Sequence, residues 1–454
     1  MKNNRSLHLA LFLLLGYALS AFAQNPVVQT VFTADPAPLV LNDTLYLFTG
    51  HDEDETTERG FIMKDYLCFS TTDMVNWTHR GAVYHVDSLG WAKPQNANAA
   101  QVAFRDGKYY YYISPWSGLA DGGDCIAVAV SDKPYGPYKD ALGKPLISPS
   151  QTTYGRHAWE DIDPTILIDD DGQAYMYWGN NSLNAVKLNK DMISYSGEII
   201  TFDIKDKAAF GPDYEEAPWI FKRNGIYYLM YAAHVPEAVY YATSTNPLGP
   251  WKYGGVVMKA KAQGCNGNHP GVANYKGNWY FFYFNQDLPG GHDKKRTVNV
   301  IPLAFNPDGS IPELAHSKAG ITMPLSTLNP FKRTEAETIA WEEGIETAKS
   351  KTGVYVTDVD NGDYIKVRNV DFAKGAKSFQ ATVASATKGG TIEIRLDSKD
   401  GPLLGSCLVS NTGDWQKWKT LTCKVKKTKG IHDLYLIFKG GEGDLFNLDY
   451  WMFK

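Results

Sequence analysis

The sequence predicts an all-β protein, a five-bladed β-propeller followed by a β-sandwich of jelly-roll type. Three observations predict it. Aromatic residues make up 13 % of the 454-residue chain, with 28 Tyr and 41 Gly, a usage that favours strands and tight turns over helices. A Gly- or Asn-Asp-marked turn followed by an aromatic strand recurs five times before residue 325. Beyond residue 325 that repeat stops and short alternating strands replace it.

In chain order, residues 1–23 carry Lys2 and Arg5, then an apolar run, then Ala21-Phe22-Ala23. This reads as a secretory signal peptide cut before Gln24, its apolar core too short to span a membrane. The expected location is therefore secreted or periplasmic. No later stretch is apolar enough for a membrane span. Losing Lys2 and Arg5 makes the formal net charge of −5 two units more negative, a poor balance for nucleic-acid binding. Five Cys in this length are not a disulfide framework. Cys407 and Cys423 lie on neighbouring predicted strands, either paired or as separate buried thiols. Cys68, Cys125 and Cys265 have no metal-ligand spacing.

The repeated units are "NDTLYLFTG" (42–50), "DGKYYYYIS" (106–114), "DGQAYMYWG" (171–179), "NGIYYLMYA" (224–232) and "KGNWYFFYF" (276–284). Their turns are spaced 64, 65, 53 and 52 residues apart, and each suits a hairpin entering a buried strand. "AVAVSDKPYGPYKD" (127–140) and "YYATSTNPLGPWKYG" (240–254) add a shared Ser-x-x-Pro-x-Gly-Pro-aromatic tail. Five like units at this period fit a propeller over residues 24–325; a sandwich has no reason for five like turns. "DDDG" (169–172) lacks the rest of a calcium loop and is read as a hairpin turn. Pro324 to Pro330 mark a join, and residues 329–454 form the sandwich, with strands such as "GTIEIRLDS" (390–398) and "HDLYLIFKG" (432–440).

Three acids stand at strand mouths: Asp35 in "TADPAPLVL", Asp163 in "WEDIDPTILI" and Glu216 in "DYEEAPWIF". In a propeller the entry ends of the innermost strands open on one face, so matching positions converge at one end of the channel. The Asp-Pro and Ala-Pro steps are expected to hold the backbone extended there. Converging carboxylates suit glycoside hydrolysis, where one carboxyl protonates the leaving oxygen and another activates water. A third can raise the acid's pKa by like-charge repulsion. A single Asp before Pro is most often a turn or a cap; the argument rests on the joint recurrence.

The blocks "ADPAP", "DIDPTILIDDDGQAYMYWG", "EEAPWIFKRNGIYYLMYAA" and "NGNHPGVANYKGNWYFFYF" resemble, in order, family-43 glycoside hydrolases. The resemblance covers about residues 26–325 and implies a five-bladed propeller of inverting enzymes on arabinose- and xylose-containing glycans, with no catalytic cofactor. It implies Asp35 as general base, Glu216 as general acid and Asp163 as pKa modulator, with Glu215 a neighbour. His269 in "NHPG" matches a histidine near the axis, beside a central ion or water in many members; a hydrogen-bonded core histidine is the alternative reading. Arg296 matches a channel arginine, with an ordinary surface arginine as the alternative. Trp116 and Trp159 are candidates for sugar stacking or for packing. The loops 51–66 and 91–101 are expected to shape the pocket.

The tail, with "NPFKRTEAETIA", "NGDYIKVRNVDF", "TGDWQKWKT" and "FNLDYWMF", resembles family-6 carbohydrate-binding modules. It implies a structural calcium held by Glu335, Glu337 and Asp449, a stacking Trp415 and a sugar-bonding Asn447. A second aromatic of that family is absent; Asp358 stands there, with Tyr355 three residues earlier. The sandwich therefore either binds glycan or only packs on the propeller. The module order resembles secreted enzymes that remove α-L-arabinofuranosyl groups from arabinoxylan, a plant cell-wall polysaccharide. β-1,4-Xylosidase is the near alternative; endo-arabinanase and a non-catalytic glycan-binding protein are further ones. A fructan-cleaving propeller is disfavoured, since no Arg precedes Asp163-Pro164 in the way that family requires.

Overall fold

The structure is a computed structural model describing residues 24–454 except 95, 153–156, 262–267, 352 and 374. The expected signal peptide and Cys265 lie outside the described residues. Among the described residues the regular structure is almost entirely strand, with one α-helical turn at Lys207–Phe210 and one 3-10 turn at Val86–Ser88. No helix there is long and apolar enough to cross a membrane.

Residues 33–302 form five consecutive antiparallel sheets whose strands follow chain order. Their inner strands are Thr33–Leu41 (sheet I), Asn98–Arg105 (II), Thr165–Ile168 (III), Glu216–Arg223 (IV) and Gly271–Tyr275 (V). These strands touch in cyclic order, and sheet V returns to sheet I. The ring closes through the N-terminal segment: Val27 N donates to Val298 O at 3.0 Å and Thr33 N to Arg296 O at 2.9 Å.

Each aromatic repeat is the second strand of its sheet. Its side chains alternate between two buried faces. Tyr111 packs with Phe48 and Tyr66 of sheet I, whereas Tyr110 and Tyr112 pack with Met176 and Trp178 of sheet III. Tyr228 and Met230 face Phe281 and Tyr283 of sheet V, whereas Tyr227, Leu229 and Tyr231 face Tyr175 and Tyr177 of sheet III. A strand covered on both faces has no solvent side, so its sequence runs continuously apolar instead of alternating. Each buried ring removes about 150–250 Å² from water, worth roughly 4–6 kcal/mol at most.

Residues 336–453 build a second core between two sheets, including Ile365, Phe379, Ile392, Leu436, Trp451 and Phe453. The two parts are joined by backbone pairing: Thr338–Ile339 adds a strand to the outer edge of sheet I, opposite Trp77 and Thr78. Asn76 and Arg368 exchange two hydrogen bonds, at 2.8 and 2.9 Å, and Gln24 bridges Val75 and Ala340 at 3.0 Å each. The 169–172 segment is the expected hairpin turn, closed by Gly172 N to Asp169 O at 2.9 Å.

Candidate active site

One position recurs around the ring. Ala34 pairs with Gly50 and Ala37 with Phe48, so two residues bulge between them. The same bulge separates Asn98 from Gln101 and Glu216 from Trp219. Asp35, Ala99, Asp163, Ala217 and His269, with the residue that follows each, line one small cavity where the five sheets meet. The expected extended backbone is not what forms there. Asp35, Asp163 and Ala217 have φ of 52, 62 and 54°, in the left-handed region, although each precedes a proline. A bulge admits one left-handed residue and re-aims its side chain, which the ordinary preference before proline does not predict. Asp35 and Asp163 therefore share one phase, whereas Glu216 sits one residue before the equivalent Ala217. Gly50 matters here: a Cβ on it would stand 3.1 Å from Asp35 Oδ2.

The acids are brought together. His269 lies between them, with Nε2 hydrogen-bonded to Glu216 Oε1 at 3.2 Å. Its Nδ1 is 3.1 Å from Asp35 Oδ1 but out of line for a hydrogen bond, so that contact is ionic. Asp163 Oδ2 accepts from Ala217 N at 3.0 Å, which ties sheet III to sheet IV, and Asp163 N donates to Ser114 Oγ of sheet II at 3.2 Å. Arg296 is buried, not on the surface. It grips Asp52 through Nε and a terminal nitrogen at 2.9 Å each and reaches Asp35 Oδ1 at 3.4 Å. Asn180 donates to Glu216 Oε2, and Asn181 to Glu215 Oε1 at 3.1 Å.

Burial pushes His269 down, but Asp35, Asp163 and Glu216 override it and raise its pKa to about 10. Burial pushes Asp163 well above the usual carboxylate range; His269 opposes this, while Glu216 and Asp35 add to it. Glu216 moves the other way from expectation. Burial raises it, but the His269 hydrogen bond and charge, with bonds from Glu237 and Asn180, hold it at about 2. Glu237 is buried, accepts from Asn268 N, and is hydrogen-bonded to Glu216. Two carboxyl groups can share a hydrogen bond only if one carries a proton. Burial and the Glu216 charge raise Glu237, so the proton of this pair resides there.

Above the acids opens a cavity of about 500 Å³, large enough for a sugar residue. Trp116, Trp159, Phe61, Met63, Asn96 and Asn98 line it, so both expected loops contribute. Trp159 is 51 % exposed and stacked on His157 at 4.4 Å. In the second core, Trp415 is half-buried, and Asn447 lies behind it, its amide donating to Trp415 O at 2.9 Å. Arg333 forks onto Glu335 at 2.7–3.0 Å and approaches Asp449 at 3.6 Å. Glu335, Glu337 and Asp449 are not all within 4.8 Å of one another. Glu337 Oε2 is nonetheless buried without a partner, and burial together with Glu335 and Asp449 raises its carboxyl. An orphaned oxygen beside two further acids fits a hard cation. An ion beside His269 would find three donors, since Asp163, Glu216 and His269 each offer a ligand atom within 4.8 Å of one another.

Asp52, Asn180, Glu237 and Asp124 are site residues that the motif blocks did not single out. Residues 23–311 match Glycosyl hydrolases family 43. The chain belongs to that family. It is therefore a glycoside hydrolase of a β-propeller family, using water and no catalytic cofactor. Residues 335–454 match Carbohydrate binding module (family 6), a β-sandwich module. The family-43 chain is 35 % identical to an arabinoxylan arabinofuranohydrolase of Bacillus subtilis (strain 168), over 94 % of this chain and 92 % of that one. A Bacteroides ovatus xylosidase/arabinosidase is 31 % identical over 62 % of this chain and 94 % of its own. A crystal structure of a family 43 arabinoxylan arabinofuranohydrolase from Bacillus subtilis, in complex with cellotetraose, superposes with TM-score 0.82 at 33 % identity, covering 95 % of this chain and 97 % of that one.

Proposed function

We propose that this chain is a secreted, inverting hydrolase that removes α-L-arabinofuranosyl side groups from arabinoxylan. The observation that carries it is the Asp35–His269–Glu216 arrangement at the floor of a sugar-sized cavity. Resemblance to arabinoxylan arabinofuranohydrolases over both parts of the chain supports the substrate. Asp35 is the base, held 3.4 Å from Arg296 and 3.1 Å from His269, and it takes a proton from the attacking water. Glu216 is the acid, giving its proton to the leaving xylan oxygen, and Glu237 supplies that proton across the shared hydrogen bond. Asp163 holds the Glu216 loop through Ala217 N and tunes the field around the acid. The base and acid oxygens face two different nitrogens of one imidazole, at 3.1 and 3.2 Å; inversion requires the two carboxyls to stand ~6.5–9.5 Å apart, with room for a water.

The five sheets are, in this reading, the blades of a five-bladed propeller spanning 24–325, and 329–454 is the carbohydrate-binding sandwich. Trp415 stacks on the polysaccharide, and Glu335, Glu337 and Asp449 hold a structural calcium that ties the sandwich ends. A signal peptide of residues 1–23 directs the protein out of the cytoplasm. The second reading, β-1,4-xylosidase, is favoured by the Bacteroides ovatus xylosidase/arabinosidase likeness. Product release decides between them. Incubation with arabinoxylan, linear xylo-oligosaccharides and arabinan is expected to give free arabinose from arabinoxylan only. Xylose from the linear oligosaccharides would move the assignment to xylosidase.

A further inference from the structure

Sheet II is the exception in the ring of repeated positions. Sheets I, III and V place Asp35, Asp163 and His269 there, and sheet IV places Glu216 one residue earlier. Sheet II has Ala99, with Asn98 one residue earlier, so its inner strand brings no charge to the cavity. A carboxyl reaches the same wall by another route. A two-stranded hairpin, Trp116–Ser117 with Gly123–Asp124, pairs Trp116 directly with Asp124. Its position is fixed by Asp124 N donating to Ala158 O at 2.7 Å, just before Trp159.

Asp124 is 3 % exposed and lines the cavity that holds the acids. Its Oδ1 is buried and has no hydrogen-bond partner. An unpaired buried carboxylate oxygen is costly, and at the wall of a ligand-sized cavity it marks a group with bonding capacity to spare. The surroundings are those of a polyol site: Asn96 and Asn98 hydrogen-bond the carboxyl and leave Oδ1 without a partner, and Trp116 is its cross-strand neighbour. Burial raises the Asp124 pKa to about 7, so near neutral pH it can accept or give a hydrogen bond.

We propose that Asp124 is a sugar-binding, specificity-determining residue, whose carboxyl bonds a hydroxyl of the pentose seated in the cavity. Asn96, Asn98 and Trp116 complete the subsite. The inference deepens the pentose-glycan reading above and rests on it. A site built around one hydroxyl discriminates strongly between sugars that present it differently.

The test uses the full chain carrying Glu216→Ala, which binds without turnover, and titrates it calorimetrically with L-arabinose, D-xylose and xylotetraose. Adding Asp124→Ala is expected to weaken at least one of the two pentoses by about tenfold or more, the usual loss for a hydrogen bond to a charged group. Asp124→Asn, which keeps volume and one acceptor, is expected to lose less on the same sugar but at least about threefold. The Asn variant carries the test alone if the Ala variant fails to fold. Unchanged affinity for all three sugars in a folded variant would overturn the Asp124 assignment while leaving the hydrolase reading intact. A parent that binds neither pentose would overturn the Asp124 subsite, whereas the hydrolase reading falls only if wild type releases no pentose from arabinoxylan, linear xylo-oligosaccharides or arabinan.

Discussion

Replacing His269 by Gln removes the positive charge between Asp35 and Glu216. The size of the effect follows from the site. A rise of the imidazole pKa from 6.5 to about 10 corresponds to roughly 5 kcal/mol of preference for the charged ring, at ~1.4 kcal/mol per tenfold. The folded pKa lies above the unfolded one. The contribution is therefore complete below about pH 6.5, falls as pH rises, and is gone above about pH 10. The assay is guanidinium unfolding of wild type and His269→Gln at pH 6 and pH 10.5, followed by Trp fluorescence. Wild type is expected to exceed the variant by several kcal/mol at pH 6, and most of that gap should vanish at pH 10.5. An equal gap at both pH values would show that the ring is not charged between the acids, and the electrostatic account would fall. Turnover should also drop in the variant at pH 6, since Glu216 loses the hydrogen bond and charge that hold its pKa down.

Four more outcomes are expected. Asp35→Ala and Glu216→Ala should each lower kcat on arabinoxylan by about 10²–10⁴, whereas Glu237→Gln should cost far more on arabinoxylan than on an aryl arabinofuranoside whose leaving group needs no proton; equal losses on both would exclude Glu237 as the proton store. Asp52→Ala removes the forked partner of the buried Arg296 and leaves it the 3.4 Å contact with Asp35; it should destabilise the protein by up to roughly 3–5 kcal/mol, read as a lower guanidinium midpoint. Cys407 and Cys423 are free in the structure but in thiol contact; mild oxidation should remove two protons in intact mass and add about 3 kcal/mol of stability to the sandwich, and persistence of both thiols would refute the pairing.

Sequence reasoning found what recurs. The aromatic strands were legible because burial on both faces writes a continuous apolar run, Asp35 and Asp163 because each stands before a proline at the mouth of a strand, and His269 only through the family resemblance of its NHPG block. Glu216 was found by its place before Ala-Pro, although the bulge puts it one residue out of phase. The backbone conformation at those prolines was misread, because a bulge is a property of two paired strands and not of the dipeptide. Asp52, Asn180, Glu237 and Asp124 were missed for a related reason. Each sits in a loop or hairpin whose position depends on contacts far away in sequence, as Asp52 does on Arg296. The direction of the Glu216 shift was misjudged too: like-charge repulsion from Asp163 was visible in the motif, but the stronger His269 contact depends on how sheets IV and V meet.

The most direct test of the central claim is the stereochemistry of the first product. Proton NMR of arabinoxylan hydrolysis, recorded before mutarotation, reports which anomer is released. An inverting Asp35/Glu216 pair predicts that the β-anomer of L-arabinofuranose appears first and then equilibrates. Initial release of the α-anomer would mean a covalent intermediate, and would contradict the assignment of Asp35 as a base that activates water.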